Sequence, residues 1–192
     1  MVLSSKDFVS PTELIATTAA FFDNKIDLDP ASSDNANKVV QADRFFNWQQ
    51  NGLLQDWKAS RVYLYPPRDY LLHSEQPKHT KLFEKQYRFK KSSQRVWLEL
   101  AYKKWLKKEF DEAIVFLTST EVALLITQKL NIDTPICILK EKPKLMWDEQ
   151  DLTPLKSTKV YGFVLYLPGL NNTERKVSKF IDFYSNLGRV YH

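Results

Sequence analysis

The sequence predicts a three-layer α/β domain built on a mainly parallel sheet. Short apolar runs of strand character alternate along the chain with amphipathic stretches of helical period. The 192 residues, 43% hydrophobic and 14% aromatic, are enough for one full core and too few for two. No internal repeat or low-complexity tract competes with this reading. The chain is therefore read as one domain over 1–192, with a basic excursion at about 69–94.

Each element has its own signal. SPTELIATTAAFF opens with a helix start: Ser10 as cap, Pro11 at the first helical position and Glu13 completing a capping box. IDLD is a short strand that stops at Pro30. SSDNANKVV reads as a short helix, and NWQQNGLLQDW as irregular with an Asn51-Gly52 turn. SRVYLY is a second strand. From Ser93 a helix follows, with Leu98, Ala101, Tyr102 and Trp105 as its buried stripe and Lys103, Lys104, Lys107 and Lys108 opposite. AIVFLTS is a buried strand, TEVALLITQKL a helix capped by Thr120, and PICILK another strand. KVYGFVLYLP gives the longest strand signal, and the final helix ends before Gly188 as its stop.

Composition excludes several classes. Four glycines argue against a Gly-rich phosphate loop, and no apolar run approaches a membrane span. MVLSSKDFVS lacks the apolar region of a secretory signal, which leaves the cytoplasm as the expected compartment. Cys137 is the single cysteine and reads as a small core residue. His73, His79 and His192 make no metal-ligand spacing, so no metal is expected. The net charge of +5 is uneven: residues 76–108 hold eleven Lys or Arg and two Glu, a local +9, leaving −4 for the rest. That is a footprint for a polyanion, although Lys-rich faces are often only solvated.

VYLYPPRDYL sets two prolines at the end of a strand, where a ladder must stop and where open α/β sheets bind ligands. Together with SPTELI, IDLDPASSDNAN and NGLLQDW, taken in that order, it resembles the phage-type (Dam-like) DNA N6-adenine methyltransferase family. The resemblance is dense over residues 10–67 and thins to a strand–helix rhythm over 95–167. It implies a Rossmann-like fold, S-adenosylmethionine (SAM) as cofactor, DNA as partner, and a phage, plasmid or bacterial setting. Ser10 and Pro11 match the element near the methionine end of the cofactor, with Asp27, Asp29, Pro30 and Ala31 beside it. A strand-end carboxylate suits the ammonium and sulfonium of SAM, and a helix start suits its carboxylate. Asn51, Gly52 and Leu53 match the turn near the adenine ring.

The sequence departs from the family at the loop itself. In the family's Asn-Pro-Pro-Tyr, a carboxamide oxygen and a proline-loop carbonyl accept the adenine amino hydrogens, and the last aromatic stacks on the flipped base. Here the catalytic positions are Tyr65, Pro66, Pro67 and Arg68, so both acting side chains are replaced. The expectation is a catalytically impaired or repurposed relative that retains DNA or cofactor binding. An active N6-adenine methyltransferase, with Arg68 or Tyr70 as the stacking group, and an unrelated α/β interaction protein are the alternatives. Lys78, Lys85, Arg88, Lys90, Lys91 and Arg95 are the candidate phosphate contacts.

Overall fold

The computed structural model of the chain describes residues 8–67, 70–71, 91–147, 152, 159–169, 171 and 173–192. Among them, seven strands form one sheet in the order β3-β2-β4-β7-β10-β8-β11. These are β2 (Leu28–Asp29), β3 (Arg44–Phe45), β4 (Ala59–Leu64), β7 (Phe110–Leu117), β8 (Ile136–Leu139), β10 (Phe163–Leu167) and β11 (Gly188–Tyr191). Two small pairs stand outside it. The pair of β1 (Phe8–Val9) and β9 (Met146–Trp147) is antiparallel, as is that of β5 (Tyr70–Leu71) and β6 (Lys91–Ser92).

The sheet is mostly parallel in strand direction, as expected, and is made mixed by two opposing strands, β10 and β11. β3, β2, β4 and β7 are joined by parallel ladders, whereas β10 is antiparallel to both neighbours and β11 to β8. β8 runs the same way as β7, because the strand between them opposes both. Five strands thus share one direction, and their carboxyl ends define one edge. KVYGFVLYLP is fully buried along β10 but is five residues long, shorter than the eight of β7. Its apolar length reflects cover on two faces rather than strand extent.

Alternation along the strands divides the core in two. Tyr63, Tyr65, Ile114, Phe116, Val164 and Tyr166 pack with Phe21 of α1 (Thr12–Phe21) and with Phe180 and Tyr184 of α5 (Thr173–Tyr184). Val62, Leu64, Ala113, Val115, Leu117 and Leu165 pack with Trp97, Leu98 and Ala101 of α3 (Ser93–Leu106). Adjacent residues thus face opposite helix layers, as the pleat requires. α2 (Asp34–Val40) is capped by Ser33, whose hydroxyl accepts from the Ala36 N–H at 2.9 Å.

Four local readings change. Ser10 does not cap α1: Pro11 is the N-cap residue, and the Ser10 hydroxyl is hydrogen-bonded to Tyr63 of β4. The helix after β7 is capped by Ser119 rather than Thr120, and passes through a π turn (Val122–Ile126) before α4 (Thr127–Leu130). Gly188 opens β11 instead of closing α5, since a β-carbon there would stand 2.1 Å from the Ile138 carbonyl oxygen. Lys104 lies off the solvated face: it donates to the Gln55 carbonyl and Glu109, and sits over the Trp57 ring.

Candidate functional site at the carboxyl edge of the sheet

From β2 the chain turns outward to the edge strand β3 and then enters β4 on the other side of β2. The strand order reverses between β2 and β4, and ligands of open α/β sheets bind outside the carboxyl ends at such a point. Asp29 ends β2, and Tyr65-Pro66-Pro67 follows β4.

Asp29 is 2% exposed, and burial pushes its carboxyl up to about 7. The Ala31 N–H, which donates to Asp29 Oδ1 at 3.2 Å, favours the ionised form and partly offsets the burial. The start of α1 is brought to the same place through Tyr63. Its buried hydroxyl bonds to Ser10, and its ionisation is opposed by burial first and also by the nearby Asp29 charge. Pro30 follows Asp29 and is buried. Gly52 meets it, because a β-carbon at position 52 would overlap the Pro30 carbonyl and touch the Trp97 ring. Asn51 adopts a left-handed conformation (φ 51°), and its side chain accepts from the Leu53 N–H at 3.2 Å to start a short 3-10 turn, Gly52–Leu54. Trp57, fully buried and stacked on Trp97 at 6.0 Å, donates its ring N–H to the Gly52 carbonyl at 2.8 Å.

The edge therefore gathers Ser10, Pro11, Asp29, Pro30, Ala31 and the Asn51–Leu53 turn. Asp27 is committed elsewhere, accepting from the Arg61 N–H at 2.8 Å and pairing with Lys25 at 3.1 Å.

The loop after β4 opens with an aromatic side chain that faces inward. The Tyr65 ring is 7% exposed and packs on Phe116 at 4.8 Å, on the α1 side of the core. Pro66 is buried, and its carbonyl accepts from Gln94 Nε2 at 3.4 Å. Gln94, which the sequence reading did not single out, is 1% exposed. Its Nε2 also donates to Thr118 Oγ1 at 2.9 Å, while its Oε1 accepts from the Thr118 and Ser119 N–H groups at 3.0 and 2.9 Å. One carboxamide thus ties the ends of β4 and β7. Its only sequence signal was a polar residue beside the apolar stripe of α3.

Arg68, Lys78, Lys85, Arg88 and Lys90 lie outside the described residues. Lys91 lies in β6, whose pairing with β5 brings the two ends of the excursion together near the carboxyl edge. Arg95 donates to Glu99 at 2.9 Å. The basic segment also runs the length of α3, about 21 Å at 1.5 Å per residue. Lys107 and Lys108 consequently lie beside the start of β7, at the far edge from the site. A cavity of about 430 Å³ lies beside the π turn, and one of about 290 Å³ lies between α1 and α2 and reaches Thr12 in the first turn of α1. Among the described residues no cluster of His, Cys, Asp and Glu could hold a metal ion, and no helix is long and apolar enough to cross a membrane.

No protein-family model matches the chain, and no curated protein matches it in sequence. A candidate class I S-adenosylmethionine-dependent methyltransferase from Listeria monocytogenes, solved by crystallography, is similar in structure. The TM-score is 0.51 at 11% identity, over 85% of this chain and 61% of that protein. The chain thus has an α/β fold of the class I methyltransferase kind and spans about three fifths of that protein's length.

Proposed function

We propose that this protein binds SAM and is a relative of the DNA adenine-N6 methyltransferases whose methyl-transfer loop is altered, leaving catalysis impaired or repurposed and DNA as its partner. One observation carries the reading. The buried Asp29 carboxylate lies at the topological switch point, beside the start of α1 and against the turn fixed by Gly52.

The donor set fits the cofactor. A desolvated carboxylate gains most from a cationic neighbour, and SAM presents an ammonium and a sulfonium. The first turn of the ten-residue α1 offers N–H groups to the cofactor carboxylate. Asn51, Gly52 and Leu53 form the turn assigned to the adenine ring. When bound, SAM supplies an electrophilic methyl group.

The altered loop supports the second half of the reading. The residue in the carboxamide position, Tyr65, turns its ring into the core, and the Pro66 carbonyl already accepts from Gln94. On this reading neither group holds the hydrogens of an adenine amino group as the carboxamide and carbonyl of the family loop do. Loss of one preorganised contact of that kind lowers rates by about 10²–10³.

Titration calorimetry with SAM, on the wild type and on Asp29→Ala, tests the reading. Binding by the wild type and none by the variant is expected, with no transfer of labelled methyl groups to adenine-containing DNA. Absence of SAM binding to the wild type would remove the cofactor. Efficient adenine methylation would remove the altered-loop account.

A further inference from the structure

Resting on the nucleic-acid part of that reading, we propose that Trp48 is a stacking platform for an unpaired nucleobase at the rim of the carboxyl edge. Trp48 is 69% exposed, whereas Trp57 and Trp97 are at 0% and 5% and Trp105 is partly buried. Its ring therefore takes little part in the core.

The turn that carries it is closed by its own polar groups. The Asn47 N–H donates to Gln50 Oε1 at 3.0 Å, and the Gln50 N–H returns a bond to Asn47 Oδ1 at 3.2 Å. The Asn51 N–H donates to the Asn47 carbonyl at 3.0 Å, and Gln55 Nε2 donates to the Gln50 carbonyl at 2.6 Å. A large flat ring is thus presented on a turn whose order does not depend on burying it. Such preorganisation lowers the entropy lost on binding.

Its place in the fold links it to the site. The turn leaves β3 and leads directly into Gly52, and the Ser32 N–H donates to the Phe46 carbonyl at 2.9 Å, tying its root to the segment after Asp29.

The surroundings select the partner. Residues 44–55 hold five amide side chains, one Arg and no acid. A carboxylate there would repel phosphates, while amides can both donate to and accept from base edges. An apolar protein partner would want a contiguous apolar patch, whereas in this stretch Leu54 is exposed with Trp48 among the amide side chains of Asn47, Gln49 and Gln50. The cofactor adenine is assigned to the Asn51–Leu53 turn, tucked against Pro30, so a ring this exposed lies outside that subsite. Aromatic stacking on a single-stranded or extruded base accepts any base, because each has a π-face.

The test is fluorescence anisotropy with a labelled, mixed-sequence single-stranded DNA oligonucleotide at one fixed salt concentration. Trp48→Ala should weaken binding roughly 5- to 100-fold, the range expected for loss of one stacked base. Trp48→Phe should restore it to within about threefold, since a flat ring is kept. Both variants should melt with the wild type. Equal affinity of wild type and Trp48→Ala would overturn the proposal and leave DNA binding standing. No oligonucleotide binding by the wild type, with SAM binding intact, would overturn it together with the nucleic-acid reading. Equal loss in both variants with lowered melting temperatures would make the residue structural and also overturn it.

Discussion

The backbone of Gly52 lies against the carbonyl of Pro30 so closely that a β-carbon at position 52 would stand 1.8 Å from that oxygen. The two residues sit on different connections, one after β2 and one before β4, and their contact fixes the rim of the proposed cofactor site. Among the described residues no glycine has a positive φ, so the demand for glycine here is one of space. Gly52→Ala should destabilise the protein by about 1–3 kcal/mol, since the opposing atom is backbone and cannot rotate away. Urea unfolding measures the loss, and calorimetry should find SAM affinity reduced as the turn is displaced.

Asp29 predicts a pH dependence with a definite sign. The folded carboxyl holds its proton up to about 7, whereas in the unfolded chain it is released near 3.8. Between those values the folded state binds more protons, so this contribution to stability is full below the lower pH and lost as pH rises through the upper one. Asp29→Asn should therefore be more stable than the wild type at pH 8, by at most about 4 kcal/mol, and close to it at pH 4. Chemical denaturation across that range reads the crossover. A cationic ligand favours the carboxylate, so SAM should bind the wild type more tightly at pH 8 than at pH 6. Calorimetry in buffers of differing ionisation enthalpy should then detect proton release on binding.

Gln94 should behave as a structural tie. Gln94→Leu keeps the side-chain volume but leaves the Thr118 and Ser119 N–H groups without their acceptor. A loss of about 1–3 kcal/mol is expected, chiefly from the buried Thr118 N–H, with a smaller share from the half-buried Ser119 N–H. Gln94→Glu retains the acceptor oxygen and should lose less. Thermal unfolding of the two variants ranks them.

Tyr65 limits any attempt to rebuild the family loop. Tyr65→Asn replaces a ring packed on Phe116 with a carboxamide in an apolar setting, at a cost of about 3 kcal/mol or more. Combined with Arg68→Tyr, it should not restore methyl transfer to adenine-containing DNA, because position 65 faces the α1 side of the core. A labelled-methyl assay on the double variant decides this. Tyr65→Phe should cost far less than Tyr65→Asn in the same unfolding measurement.

Much of the fold was legible from local chemistry. β2, β4, β7, β8 and β10, and helices α1, α2, α3 and α5, fall where apolar period and breakers set them. Mixed strand direction was not, because an apolar run buried on two faces reads the same in either direction. β11 was also missed: its four residues pair at an edge, and Gly188 resembles a helix stop until the Ile138 backbone is seen against it. Lys104 read as solvated because a helical wheel does not include the turn that packs over it.

The sequence by itself determined where strands and helices alternate, that Pro66-Pro67 ends β4, and which residue types stand at the ends of β2 and β4. Those are properties of neighbours along the chain: period, missing N–H groups and turn chemistry. Only the tertiary structure decided which side chains share the carboxyl edge. It diverted the Ser10 hydroxyl to Tyr63, committed Asp27 to Arg61, turned Tyr65 onto Phe116, and brought Gln94 from α3 to join β4 and β7. Hydrogen-bond partners and burial at these positions come from elements up to 53 residues away in sequence, beyond the reach of any local pattern.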